Sequence, residues 1–178
     1  GALLVHYSTD YVFDGSGEHA WSETDSTGPL SAYGRTKLEG EQAIVAAGCR
    51  HLIFRTSWVY AARGSNFAKT MLRLAAERER LSVVSDQIGA PTGAELLADV
   101  TAHAIRATLL SPQLSGIYHL AAAGQTSWHG YARFVIAFAR QAGLELKVAP
   151  EAIDAVDSSA FAVVAPRPKN SRMALDKL

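Results

Sequence analysis

The sequence has no net charge, because 17 lysines and arginines balance 17 aspartates and glutamates across 178 residues. That balance argues against nucleic acid or an anionic membrane surface as the main partner, since both are met with an excess of basic side chains. Cysteine is almost absent. Cys49 stands alone, which excludes an intrachain disulfide and demands no oxidising compartment. No apolar run approaches the roughly 20 residues of a membrane span, and no charged-then-apolar leader opens the sequence. The expectation is a soluble protein in a reducing, cytoplasmic setting. The six histidines show no H-x-x-x-H or Cys/His spacing, so zinc has no obvious site. No G-x-S-x-G elbow supports a serine hydrolase. Gly15-Ser16-Gly17-Glu18-His19-Ala20 has the letters of a dinucleotide fingerprint, but Trp21-Ser22-Glu23 continues as polar loop. The fingerprint works only where it opens a helix whose N-terminus faces a pyrophosphate, so it is rejected.

What is present is a 48% hydrophobic composition, enough for a real core. Ala2-Leu3-Leu4-Val5 reads as a strand buried on both faces and ending at Ser8-Thr9-Asp10. Opening inside such a strand is expected of a chain that lacks an N-terminal part. Asp14 to Ser31 reads as loop. A helix from Ser31 or Ala32 carries Tyr33 and Lys37 and stops at Gly48, and His51 to Thr56 is a second buried strand. Helical spacing marks 66–79, a strand follows at Leu81 to Ser85, and another helix carries Leu97, Val100 and Ala104. Gly116 to Ala121 is a strand, and Thr126 or Ser127 caps a last long helix through Phe138. The tail through Arg167 is extended, with a short helix expected after Ser171. Alternation of this kind predicts an α/β fold with a parallel sheet, whose ligands lie beyond the carboxyl ends of the strands. Ser8-Thr9-Asp10 and Thr56-Ser57-Trp58 fall at two such ends.

Tyr33 and Lys37, four apart, share one helix face. A lysine charge ~4 Å from the phenol at an effective dielectric of ~20 is worth about 4 kcal/mol, enough to bring a phenol down toward neutral pH. Such a phenol could give a proton to a carbonyl oxygen as hydride reaches the carbon. The bland reading is a tyrosine packed on a lysine stem. Thr9, at a strand end upstream, could hydrogen-bond the same carbonyl. Asp10 is either a local turn residue or an acceptor for substrate hydroxyls. Trp58 is either a boundary aromatic or a platform for a sugar ring. Arg167, held extended between two prolines, suits phosphate contact or is simply solvated. His6 and His119 read as satisfied strand histidines.

Ser8-Thr9-Asp10-Tyr11-Val12-Phe13-Asp14-Gly15, Tyr33-Gly34-Arg35-Thr36-Lys37 and Arg55-Thr56-Ser57-Trp58-Val59-Tyr60 together resemble the dTDP-4-dehydrorhamnose reductases of the extended short-chain dehydrogenases. Asn66-Phe67, the Asp86 to Thr92 stretch and Arg167-Pro168 fit the same family. The resemblance runs the length of the chain but lacks that family's N-terminal strand and glycine-rich loop. It implies the C-terminal part of a Rossmann-like parallel sheet (1–59, with 94–122 returning to it) plus a small α/β sugar-nucleotide lobe (60–93 and 123–178). It implies reduction of a 4-keto-6-deoxy sugar nucleotide by NADPH or NADH, giving dTDP-L-rhamnose. Tyr33 would be the proton donor, Lys37 would bind the nicotinamide ribose, and Thr9 would polarise the carbonyl. Thr9, Asp10, Trp58 and Arg167 would contact the dTDP-sugar. Glu95 matches one ligand of a divalent cation, such as Mg2+, that bridges homodimers in some relatives. The alternatives are another GDP- or UDP-sugar reductase or epimerase, and a non-catalytic regulatory subunit on the same fold. With the glycine-rich loop absent, weak cofactor binding by this chain alone is expected.

Overall fold

The computed structural model describes residues 2–161 and 165–178, and the fold is α/β with parallel sheets. A three-stranded parallel sheet in the order β1 (Leu4–Thr9), β2 (His51–Thr56) and β7 (Gly116–His119) forms one half. Register places Thr9 beside Thr56 and Ser8 beside Arg55, which aligns the strand ends that carry the polar clusters. Helix α1 (Ala32–Ala46) connects β1 to β2, as a parallel crossover requires. Ser31 caps it, its hydroxyl accepting from the Gly34 amide at 3.2 Å. A Cβ at Gly34 would lie 2.2 Å from the Tyr11 carbonyl oxygen, so the absence of a side chain lets α1 rest directly on the turn after β1. Helix α3 (Ala94–Leu110) covers the sheet through Leu97, Val100 and Ala104, packed on Leu52, Phe54 and Leu120.

A second core joins α2 (Phe67–Glu77) and α4 (Trp128–Gln141) over the parallel pair β4 (Leu81–Val84) and β9 (Ile153–Val156). Met71, Ala75, Leu81, Val83, Ile136, Val148 and Ile153 are its buried members. Two-residue strands complete the molecule: β3 (Val59–Tyr60) runs parallel to β6 (Thr92–Gly93), and β5 (Ile88–Gly89) antiparallel to β8 (Thr126–Ser127). Among the described residues no helix is long and apolar enough to cross a membrane.

Several expectations from the sequence are corrected. β1 is not buried on both faces: Leu4 and Tyr7 are about 40% exposed, and among the described residues β1 pairs with β2 alone. No helix follows Ser171. Met173 bridges Trp21 and the Ala174 amide donates to the Trp21 carbonyl, so the segment is spent on main-chain pairing. Strand β9 was invisible in the sequence, and the strand expected through Ala121 stops at His119. His119 is fully buried but only half satisfied: Nδ1 reaches the Ala174 carbonyl at 3.2 Å, and Nε2 has no partner. His6 likewise keeps a buried Nε2 without one. Burial lowers the pKa of both rings, so both favour the neutral form.

Arg55 of β2 and Glu41 of α1 form a fully buried bidentate ion pair, Nε to Oε1 at 3.0 Å and Nη2 to Oε2 at 2.7 Å. The guanidinium also lies 5.1 Å from the centroid of the Phe13 ring. Removing one member of such a pair leaves a buried charge without compensation. Glu41→Ala should therefore cost about 3–5 kcal/mol in denaturant unfolding. Replacing both members with apolar residues of similar volume should recover most of that loss.

Candidate active site

The ends of β1 and β2 open into a cleft of about 550 Å³ lined by Thr9, Asp10, Tyr33, Ser57, Trp58 and Arg167, with Ser8 and Thr56 beside them. Tyr33 reaches it because Ser31 starts α1 just before it, and its ring meets Tyr11 edge-on at 5.5 Å. The phenol stays half exposed (53%), accessible to a molecule in the cleft. Lys37, one turn on, donates its Nζ to the Tyr7 carbonyl at 2.9 Å, which fixes the ammonium beside the carboxyl-terminal half of β1.

Thr9 caps the 3-10 turn Asp10–Val12: its Oγ1 accepts from the Tyr11 amide at 3.2 Å and donates to Asp10 Oδ1 at 3.0 Å. Asp10 is 2% exposed, and its other oxygen accepts from the Ser171 hydroxyl at 2.5 Å. Burial outweighs these hydrogen bonds and pushes the carboxyl up to about 6. The local-turn reading of Asp10 thus holds, and both its oxygens accept from protein hydroxyls.

Trp58 has φ +49°, rare for a bulky residue. The Thr92 amide donates to its carbonyl at 3.1 Å, and its indole stacks on Trp128 with centroids 3.6 Å apart and planes 11° from parallel. One indole face is therefore covered by protein. Immediately before it, Thr56 Oγ1 and Ser57 Oγ are buried without hydrogen-bond partners, as is Ser8 Oγ across the strand pair. Leaving a buried hydroxyl unpaired costs about 1–3 kcal/mol, and such strain gathers at binding sites.

Trp128 and Arg167 also line a second cavity of about 460 Å³, walled by Phe67, Met71, Val83 and Phe161. The two cavities share these residues, so the space beside Tyr33 borders the second one, with Trp128 and Arg167 in the wall of both. The tail that carries Arg167 is held by Asn170, whose Nδ2 donates to the Ser16 and His19 carbonyls at 3.2 and 2.7 Å. Gly15, at φ +71°, admits it: a Cβ there would sit 2.3 Å from Pro168 Cβ. Lys169 pairs with Asp86 at 2.7 Å on the other side.

The structure gathers Thr9, Asp10, Tyr33, Trp58 and Arg167 on one cleft, with Lys37 at the β1 carbonyl behind it. Glu95 lies elsewhere, in the first turn of α3 near Tyr60 and Gly93. Among the described residues there is no group of three or more His, Cys, Asp or Glu that could hold a metal ion. Sequence reasoning missed Trp128, Ser171 and the unpaired hydroxyls. The aromatic beginning of α4 was the one available signal, since pairing across the fold leaves none.

The family model described as the RmlD substrate binding domain matches residues 1–178. The chain belongs to the RmlD substrate-binding family. It is 59% identical over 177 residues to the dTDP-4-dehydrorhamnose reductase of Salmonella typhimurium and 58% identical to that of Escherichia coli K12. In each case the match covers 99% of this chain and 58% of the relative, so the chain spans little more than half the length of these curated RmlD relatives. Among solved structures, a dTDP-4-dehydrorhamnose reductase from Clostridium acetobutylicum superposes with TM-score 0.88 at 36% identity, over 100% of this chain and 59% of that one. One from Bacillus anthracis, in complex with NADP, gives 0.82 at 38%, over 97% and 57%.

The raised pKa of Asp10 makes stability depend on pH. An acid whose pKa is higher folded than unfolded binds its proton more tightly in the fold, so stability falls as pH rises from about 4 through about 6. The difference between 3.8 and about 6 amounts to roughly 3 kcal/mol. Asp10→Asn does not titrate. Its unfolding free energy relative to wild type should therefore rise by about that much between pH 4 and pH 8, measured by denaturant unfolding at each pH.

Proposed function

We propose that this chain supplies the proton-donating and sugar-nucleotide-binding part of an NAD(P)H-dependent reductase that converts the C4 ketone of dTDP-4-dehydro-L-rhamnose to the alcohol of dTDP-L-rhamnose. The observation that carries the proposal is the convergence of Tyr33, Thr9, Trp58 and Arg167 on one two-part cleft. The 58–59% identity to named reductases supports the same substrate class.

The second cavity, walled by Phe67, Met71 and Trp128, suits a flat nucleobase. Arg167 at the junction suits the diphosphate, which a planar guanidinium meets with two parallel hydrogen bonds. The sugar then falls in the first cavity, which Trp58 and Tyr33 both line. Reduction of a ketone needs one hydride at carbon and one proton at oxygen. The nicotinamide coenzyme supplies the hydride when bound. Tyr33 gives its phenolic proton to the developing alkoxide, and Lys37, one helical turn on, stands at the Tyr7 carbonyl.

The residues present fit only the reactive end of that coenzyme. Tyr33 and Lys37 would meet the nicotinamide ribose, and the unpaired hydroxyls of Ser8, Thr56 and Ser57 provide hydrogen-bonding capacity on the same cleft. Gly15 to Ala20, the one glycine-rich stretch with the fingerprint letters, is loop bound to the tail. Calorimetric titration of the 178-residue chain with NADPH should accordingly show no micromolar binding.

In the full-length protein, Tyr33→Phe should lower kcat for dTDP-4-dehydrorhamnose by about 10²–10⁴, the ordinary contribution of a general acid. KM for the sugar nucleotide should change little, because the lost proton acts in the transition state. Unchanged turnover would remove Tyr33 from the mechanism.

A further inference from the structure

Thr9 has a single hydrogen to give, and it is already committed. Its Oγ1 donates to Asp10 Oδ1 at 3.0 Å and accepts from the Tyr11 amide at 3.2 Å, leaving a lone pair but no proton for a molecule in the cleft. A hydroxyl assists reduction of a ketone by donating to its oxygen. An ionised Asp10 holds Thr9 in the opposite sense. A carboxylic acid, by contrast, has a hydrogen of its own, and Thr9 Oγ1 can accept it while still accepting from Tyr11. The threonine O–H is then free to turn.

We propose that Asp10 is a positioning residue that sets the direction of the Thr9 hydroxyl, drawing its hydrogen away from the cleft as a carboxylate and releasing it toward the ketone oxygen as an acid. Ser171 is the second member of the device. It donates to Asp10 Oδ2 in either state and steadies the carboxylate against Thr9. The inference rests on the reductase reading, since it concerns how that reaction's carbonyl is polarised.

Burial supplies the setting: the carboxyl titrates at about 6, opposed only by hydrogen bonds from Ser171, Thr9 and the Asp10 and Tyr11 main chain. The charged and titratable groups around it are otherwise engaged. The Tyr11 phenol feels its charge, and Tyr33 of α1 and Arg167 of the tail act on Tyr11 in turn. Lys37 of α1 is held at the Tyr7 carbonyl, and Arg55 of β2 by Glu41. In the tail, Lys169 pairs with Asp86 and Asp157, and Arg172 with Gln125 and Asn170. In the loop, His19 faces Asp25.

The test is steady-state kinetics of the full-length protein from pH 5 to 9 with dTDP-4-dehydrorhamnose and saturating NADPH. Wild-type kcat should fall at least fivefold as pH rises through about 6, while KM for the sugar nucleotide changes less than twofold. Asp10→Asn places an amide donor toward Thr9 and a carbonyl toward Ser171. It should abolish that inflection, whatever its rate at a single pH. Ser171→Ala removes a hydrogen bond that favours the ionised form, so the inflection should move to higher pH, and this variant decides the matter if the first does not fold. An inflection near pH 6 that survives Asp10→Asn, or stays in place in Ser171→Ala, overturns the proposal. Absence of turnover by wild type overturns the reductase reading and this proposal with it, whereas turnover that ignores Asp10 overturns this proposal alone.

Discussion

The buried pair between Arg55 and Glu41 ties the middle strand of the sheet to the helix that carries Tyr33. Two parallel hydrogen bonds between planar groups fix both distance and rotation, which one contact could not do. The guanidinium also lies against Phe13 and within 3.5 Å of the Glu23 carbonyl, while Glu23 Oε1 accepts from the His119 amide at 2.8 Å. Helix α1, the turn after β1 and the polar loop are thus referred to one charge beneath them. With Gly34 seated on the Tyr11 carbonyl, the helix has little freedom to slide, and Tyr33 inherits that rigidity.

Rigidity below is matched by polar tension above. The strand ends hold unpaired hydroxyls, a left-handed tryptophan and a carboxyl lifted by burial, each unfavourable by itself. The second core, around Met71, Ile136 and Val148, contains none of these features. Stability and chemistry are therefore separated in space, as expected where binding groups must stay unsatisfied until a ligand arrives.

Much of this was legible in the sequence because the signals were local. Four-residue spacing put Tyr33 and Lys37 on one helix face, an apolar run marked β2, and Ser127 announced its helix as a cap. What stayed hidden depended on distant partners. Ile-Asp-Ala-Val becomes β9 only because Leu81–Val84 lies alongside it, and Ser171 matters only through Asp10, 161 positions away. The helix expected after Ser171 failed for the same reason, since local preference there yields to Trp21. β1 looked like a central strand because an apolar run does not say how many neighbours will cover it.

The tail that carries Arg167 and Ser171 closes the cleft over elements formed from the first third of the chain. During synthesis from the N-terminus, the strands and α1 are made long before the serine that completes the Asp10 cluster. The nascent protein must therefore carry that carboxylate with only part of its hydrogen bonding until the segment with Ser171 leaves the ribosome. Closing so long a loop is among the slower steps available to a chain of this size. The Asp10 cluster is accordingly completed only after Ser171 has been made, long after the strand that carries the carboxylate.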